Sequence, residues 1–145
     1  MSCTYGIRQF GNEDQGWVAH FIISSFFNKP IVIYGDGKQV RDVLFIDDLV
    51  RAFELAFHNI KKTRGKVYNI GGGIKNTLSI IELLDLLKSF GLTPRYTFDD
   101  WRPADQKVYI SDVKKAAEFG WGPKTPPEEG MKKLLEWAKQ NKRLF

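Results

Sequence analysis

Arg41 and Asp42 follow directly on the turn Gly35-Asp36-Gly37-Lys38-Gln39-Val40 and precede the apolar run Val43-Leu44-Phe45-Ile46. Gly35 and Gly37 tolerate positive φ, so the chain can reverse between the run Ile31 to Tyr34 and the run Val43 to Ile46. Arg41 is then pinned at the root of a strand. A guanidinium held that way offers two parallel charge-assisted hydrogen bonds, which suits a phosphate. The same residues also fit a surface hairpin carrying a solvated Arg-Asp pair. A second anion-seeking feature lies upstream, where Gln15, Gly16 and Trp17 open an apolar-periodic stretch. A helix starting there presents free N–H groups and the positive end of its dipole, although Asp14 could simply be its N-cap and Trp17 a core residue. His20 and His58 are far apart and have no partner carboxylate at catalytic spacing, and no Cys/His/Asp cluster has metal-ligand spacing. No catalytic residue and no metal are expected.

The elements that must position these side chains follow from periodicity. Apolar residues at helical spacing over Gln15–Phe27, closed by Pro30, predict a helix, and Ile31–Tyr34 and Val43–Ile46 predict short strands. Asp47 suits an N-cap for a helix over Asp48–His58. Val67–Ile70 predicts a strand stopped by Gly71-Gly72-Gly73. Ser79-Ile80-Ile81-Glu82 is a capping box for a helix ending at Gly91. Extended segments are expected at Arg95–Phe98 and Val108–Ile110, and Ser111 suits the cap of a short helix ending near Gly120. Thr125-Pro126-Pro127-Glu128 reads as a second capping box opening a helix to Asn141. Alternating helices and short strands without internal repeat indicate an α/β fold.

Composition limits the function classes. The chain has 145 residues, 43% hydrophobic and 27% charged, which fits one globular domain across residues 1–145. No apolar run approaches the roughly 18 residues that a membrane helix needs. One cysteine, Cys3, rules out an internal disulfide and permits a reducing cytosol, so a cytoplasmic location is expected. The net charge of +5 suits anionic ligands, but the lysines are dispersed, so nucleic acid is not an expected partner.

The Gly-Asp-Gly…Arg turn resembles the phosphate-binding stretch in the C-terminal half of the extended short-chain dehydrogenase/reductase family, whose members modify nucleotide-diphosphate sugars. Ser2-Cys3-Thr4-Tyr5-Gly6, the stretch from Arg8-Gln9-Phe10-Gly11-Asn12-Glu13-Asp14 to Gln15-Gly16-Trp17-Val18, and Arg102-Pro103-Ala104-Asp105-Gln106 extend the likeness towards the CDP-paratose/CDP-tyvelose 2-epimerase branch. The resemblance implies the C-terminal part of an extended Rossmann-type epimerase, with the last sheet strands and a small mixed substrate domain. The dinucleotide fingerprint of a strand, a glycine-rich turn and a helix is not found in this sequence, and neither is the family's Tyr-x-x-x-Lys pair on a helix. NAD, used by the complete family enzyme, is therefore not expected to bind this chain alone.

The same resemblance implies roles for individual residues. Arg41 and Arg102 would grip the diphosphate, Val32 and Tyr34 would hold the base, and Asp105 would accept from ribose hydroxyls beside Gln106. Gln15 and Trp17 belong to the helix start read above as facing an anion, Trp101 could cover the site, and Thr4 stands where many relatives carry Asn against the diphosphate. Competing readings stay open: Arg102 paired with Asp99 or Asp100, Val32 in the core, Asp105 paired with Lys107. Strands Ser2–Tyr5 and Val67–Ile70 would be cut off from neighbours, an arrangement that invites a homo-oligomer or a separate Rossmann-half polypeptide as partner.

Overall fold

In the computed structural model, which describes residues 3–145, six strands and five helices form an α/β arrangement in two sheets with three parallel strand pairings. The order is β1 (Cys3–Tyr5), α1 (Trp17–Phe26), β2 (Ile31–Tyr34), β3 (Val40–Phe45), α2 (Ile46–His58), the single turn α3 (Ile60–Thr63), β4 (Thr77–Ser79), α4 (Ile80–Ser89), β5 (Tyr96–Asp99), β6 (Val108–Tyr109) and α5 (Pro127–Gln140). Ser2, read above as part of the first strand, lies outside the described residues.

β3 organises the larger sheet. Its Val43, Leu44 and Phe45 run parallel to Cys3, Thr4 and Tyr5 of β1, and its first residues lie between antiparallel β4 and parallel β6. β2 instead pairs in parallel with β5, from Ile31 opposite Tyr96 to Tyr34 opposite Asp99. The Gly35–Gly37 turn is therefore not a hairpin. It carries the chain from one sheet to the other, with Gly35 (φ 83°) donating its N–H to Asp99 and the Gly37 carbonyl accepting from Ile81. A side chain at Gly35 would also collide with the Trp101 ring, whose atoms lie 2.6 Å from the place a Cβ would take.

The main core lies between α1, α4, α5 and the first strands, with Tyr5, Ile22, Ile31, Ile33, Leu83, Leu87, Met131 and Leu134 almost fully buried. A second cluster joins Leu44, Leu49 and Ala52 to Ala116, Phe119 and Trp121 beneath α2. Asp48 fastens this cluster to the chain that leads into α5. Its carboxylate accepts from Arg51 at 2.7 Å and from the Lys124 and Thr125 amides at 2.9 and 2.8 Å. Burial opposes the charge on Asp48, but the Arg51 guanidinium and the two amides outweigh it and hold the carboxyl below its ordinary range.

Several local expectations need correction. α1 begins at Trp17, with Gly16 (φ 72°) at the cap position and no side-chain cap, so Asp14 is not its N-cap. α2 begins at Ile46 straight out of β3, which places Asp47 inside the first turn, where it complements the helix dipole without capping. α5 starts with Pro126 at the cap position and Pro127 as its first residue. No capping box forms there, and the Thr125 amide goes to Asp48. Ser111 is buried and does not cap the 3-10 turn at Lys114–Phe119, whose cap position is Val113. The Ser79/Glu82 capping box and the left-handed Gly91 (φ 78°) beyond α4 are present as read.

The largest correction concerns Val67–Ile70, which forms no strand. Tyr68 and Ile70 pack onto the second cluster, and the Tyr68 ring meets Phe119 edge-on at 4.9 Å. Side chains anchor the segment, while its β-forming composition finds no backbone neighbour among the described residues. β1, by contrast, has a neighbour on one side, where all three of its residues pair with β3, and it stands at the end of the strand order. The glycines that follow serve close packing. A Cβ at Gly72 would lie 2.2 Å from the Val43 carbonyl oxygen, and the Gly73 amide donates to Asp42 at 3.0 Å.

Candidate functional site

A cavity of about 320 Å³ opens where the two sheets meet α1 and the loop after β5. That is the lower end of the range typical for small-molecule pockets. Alternation along β2 turns Ile31 and Ile33 into the core and leaves Val32 and Tyr34 for the cavity. The same rule gives Cys3 to the cavity from β1, while Thr4 is not among its lining residues. Trp17 and Phe21, one helical turn apart on α1, form a wall with Ile80 from the start of α4. Arg41 enters from β3. Arg102 and Asp105 enter together because a tight turn, with Ala104 at φ 63° and the Asp105 amide donating to the Arg102 carbonyl, folds the loop back on itself. A non-glycine residue held in that region is strained, as is common where a loop must present side chains.

The cationic groups are already engaged. Arg41 donates from Nη2 to Asp105 at 2.7 Å and from Nη1 to its neighbour's carbonyl at 2.9 Å, and the pair is largely shielded from solvent. Arg102 lies over the Tyr34 ring at 4.0 Å and is held loosely by Glu13 at 3.6 Å and Asp14 at 3.5 Å. The Tyr34 phenol donates to Glu13. That bond raises the phenol's pKa, and the nearby Arg102 works in the opposite direction. Burial pushes the Cys3 thiol up, so it sits in the wall as a neutral group.

Of the residues singled out from sequence, Arg41, Arg102, Asp105, Val32, Tyr34 and Trp17 meet in this one cavity. Gln15, Gln106 and Thr4 are not among its lining residues. Gln15 is exposed and gives its amide to Asn12, and Gln106 is exposed in the loop. The alternatives for Arg102 and Asp105 resolve differently from either reading: Arg102 meets Glu13 and Asp14 rather than Asp99 or Asp100, and Asp105 meets Arg41 rather than Lys107. Sequence reasoning missed Glu13, whose role depends on a contact 21 positions away, and Gln39, which bridges the glycine turn by donating to the Tyr34 carbonyl at 2.8 Å. No group of His, Cys, Asp and Glu able to hold a metal occurs among the described residues, and no described helix is long and apolar enough to cross a membrane.

Comparison with known proteins gives a consistent picture. The profile of the NAD dependent epimerase/dehydratase family matches residues 1–71. The chain is 41% identical over 144 residues to CDP-paratose 2-epimerase of Salmonella typhi, covering 94% of this chain and 43% of that protein. Among solved structures, UDP-glucose 4-epimerase of Thermotoga maritima with UDP-glucose superposes with a TM-score of 0.81 at 33% identity, over 96% of this chain and 44% of that one. UDP-glucuronic acid 4-epimerase of Bacillus cereus, in complex with UDP-glucuronic acid and NAD, gives a TM-score of 0.83 at 30% identity, over 96% and 43%. The chain thus spans less than half the length of each of these relatives.

Proposed function

Given that the chain belongs to the NAD-dependent epimerase/dehydratase family, we propose that it is the substrate-side half of a nucleotide-sugar epimerase similar to the CDP-tyvelose 2-epimerases. In this reading its cavity binds the nucleotide diphosphate, and the chain does not turn over substrate alone. The observation that carries this reading is the convergence of Arg41 and Arg102 on one cavity beside the flat Tyr34 side chain. Arg41, fixed by β3 and by its own backbone contact, presents the rigid half of a diphosphate grip. Arg102, with long ion pairs and a turn-mounted backbone, is the half that swings. Asp105, released from Arg41 by an incoming phosphate, is free to accept from ribose hydroxyls.

The chemistry of the family rests on a nicotinamide that takes and returns hydride. The residues described here do not fit that cofactor. The glycine cluster at 71–73 is pressed against Val43 and Asp42 of β3, leaving no amide-lined turn before a helix to cradle a pyrophosphate. Hydride transfer is therefore assigned to a complementary Rossmann half, and the CDP-paratose 2-epimerase and UDP-sugar 4-epimerases similar to this chain support a nucleotide-sugar substrate.

The test is a titration of CDP, UDP and CMP into the wild type, Arg41→Ala and Arg102→Ala, with circular dichroism confirming folding. A shielded charge-assisted contact is worth roughly 1.5–3 kcal/mol, so each substitution should weaken diphosphate binding by about ten- to a hundredfold. Lysine at either position should recover only part of the loss, since a point charge lacks the planar fork. Equal affinities for the three proteins would leave Arg41 as a structural partner of Asp105.

A second reading, that the chain is an interaction module working with a separately encoded Rossmann half, draws support from α2. Val50, Phe53 and Phe57 form one exposed stripe, continued by Ile60, and Phe53 and Phe57 are 67% and 74% exposed. The occupant assigned to this stripe is the cofactor-binding half, because the relatives carry more than half their length beyond the part that this chain matches. Sedimentation of the chain with and without that half of a relative tests it. A stable heterodimer is the expected result, a homodimer would assign the stripe to a second copy, and a monomer in both samples would overturn the reading.

A further inference from the structure

We propose that Gln39 is a positioning residue, whose buried side chain fixes the spacing between the Tyr34 wall and the Arg41 guanidinium. The inference rests on the nucleotide-diphosphate reading above and adds what holds the two ends of that site in register. Tyr34 ends β2 and Arg41 stands near the start of β3, and the two strands belong to different sheets with no backbone pairing between them. The turn that joins them is tied outward. Gly35 donates to Asp99 at the end of β5, Gly37 accepts from Ile81 in α4, and the Lys38 amide turns back on Asp36 at 2.9 Å. None of these bonds joins β2 to β3.

Gln39 supplies that link. It is 6% exposed, lines the cavity and donates from Nε2 to the Tyr34 carbonyl at 2.8 Å. A carbonyl can only accept, which fixes the orientation of the carboxamide. One residue further on, the Val40 amide donates to the Lys107 carbonyl, and the Val40 carbonyl accepts from Arg41 Nη1, both at 2.9 Å. Short bonds therefore lead from the end of β2 to the guanidinium. Glu13 and Arg102 bear on the far, phenolic end of Tyr34, whereas Gln39 holds its backbone. The Oε1 of Gln39 is buried with no hydrogen-bond partner among the described residues, and an unpaired buried acceptor destabilises a fold. An apolar side chain of the same length would avoid that penalty, so packing does not account for a glutamine here. The donor to Tyr34 does. A ligand that touches the wall with one part and Arg41 with another gains because its second contact forms intramolecularly, and it loses that gain when the distance is no longer set. Fragments that use one end alone are indifferent to the spacing.

The experiment compares the wild type with Gln39→Met, which keeps the length and loses the donor, using calorimetry for CDP and inorganic pyrophosphate and an NMR titration for cytidine. Gln39→Met should weaken CDP by about ten- to thirtyfold while changing pyrophosphate and cytidine by under about twofold. Asp105, which an anion must displace from Arg41, is the same in both proteins and cancels in the comparison. Equal weakening of CDP and pyrophosphate would make Gln39 a structural support only, and CDP binding that the substitution leaves unchanged would overturn the assignment outright. If circular dichroism shows that Gln39→Met does not fold, the wild type alone decides. Its Gln39 carboxamide protons should stay protected from solvent exchange with and without CDP, and protection lost on adding CDP would remove the proposal. Pyrophosphate binding equally to the wild type and Arg41→Ala, or to neither, removes the diphosphate reading and this proposal with it.

Discussion

The cavity wall and the outer face of α2 treat exposure in opposite ways. In the cavity every charged group has found an opposite charge: Arg41 meets Asp105, and Arg102 meets Glu13 and Asp14. On α2, Phe53 and Phe57 stand out into solvent with the large apolar area of two aromatic rings. The difference follows from the interactions involved. Ion pairs can form within one chain, and a charged ligand need only exchange for a carboxylate already in place. Apolar area has no substitute partner within the chain and stays exposed until another surface covers it. Polar sites can therefore be formed in the isolated chain, whereas an apolar interface needs its second side.

The sharpest test of the contrast compares carboxylates with different partners. Asp48 is 2% exposed and satisfies two amides and Arg51, so Asp48→Ala should cost about 2–4 kcal/mol in chemical denaturation, because the two amides lose a buried acceptor and Arg51 keeps only the Gly122 carbonyl. Glu13 lies in an exposed loop and meets Arg102 only at 3.6 Å, so Glu13→Gln should change stability by under about 0.5 kcal/mol. Similar losses for the two variants would erase the distinction between structural and exchangeable acids. The pH dependence follows with a defined sign. The folded-state pKa of Asp48 is depressed, so its contribution is present above the unfolded pKa of an aspartate and is lost as pH falls through the depressed value. Burial also lowers the pKa of His20, which makes protonation on unfolding favourable and withdraws a contribution as pH falls below the ordinary histidine range. Titration of the unfolding midpoint should therefore show a decline as pH falls, and the Asp48 part of that decline should be absent in Asp48→Ala.

An intermediate effect is expected at the turn between the sheets. Gly35→Ala places a side chain at φ 83° and against Trp101, and should cost about 1–2 kcal/mol while weakening nucleotide binding through displaced Tyr34 and Arg41. Binding unchanged in a destabilised variant would separate the turn from the site. A small effect on stability is also expected at α2. Phe53→Ser with Phe57→Ser should shift unfolding by under about 1 kcal/mol, since neither ring is buried, yet should abolish association with the complementary half in sedimentation.

Sequence made the locally determined parts legible. Ser79 and Glu82 are three apart and cap α4 as their spacing demands, Gly91 ends it, and the alternation of β2 assigns Val32 and Tyr34 to one side. Resemblance brought Arg41, Arg102 and Asp105 together. What stayed hidden depends on distant partners. Thr77–Ser79 is too short for a period to show, and it becomes a strand only because Arg41 lies opposite Leu78. Val67–Ile70 has the composition of a strand but no backbone beside it. Thr125 loses its expected cap because Asp48, 77 positions away, takes its amide, and Glu13 enters the site through Tyr34. Local pattern reports what a segment can become, and neighbours distant in sequence decide between the options.

The passage of the chain through Gly35–Gly37 places Tyr34 on one sheet and Arg41 on the other, with the cavity across the seam. A molecule held by both residues is a cross-brace between two bodies otherwise joined at that point by a glycine turn. Its binding would stiffen the seam without adding a contact inside either sheet. Amide exchange should then slow most at Gly35 and Ile81, whose hydrogen bonds span the turn, while α2 exchanges as before. The ligand's hold on the protein and the mechanical unity of the fold would become one quantity, read from the same few amides.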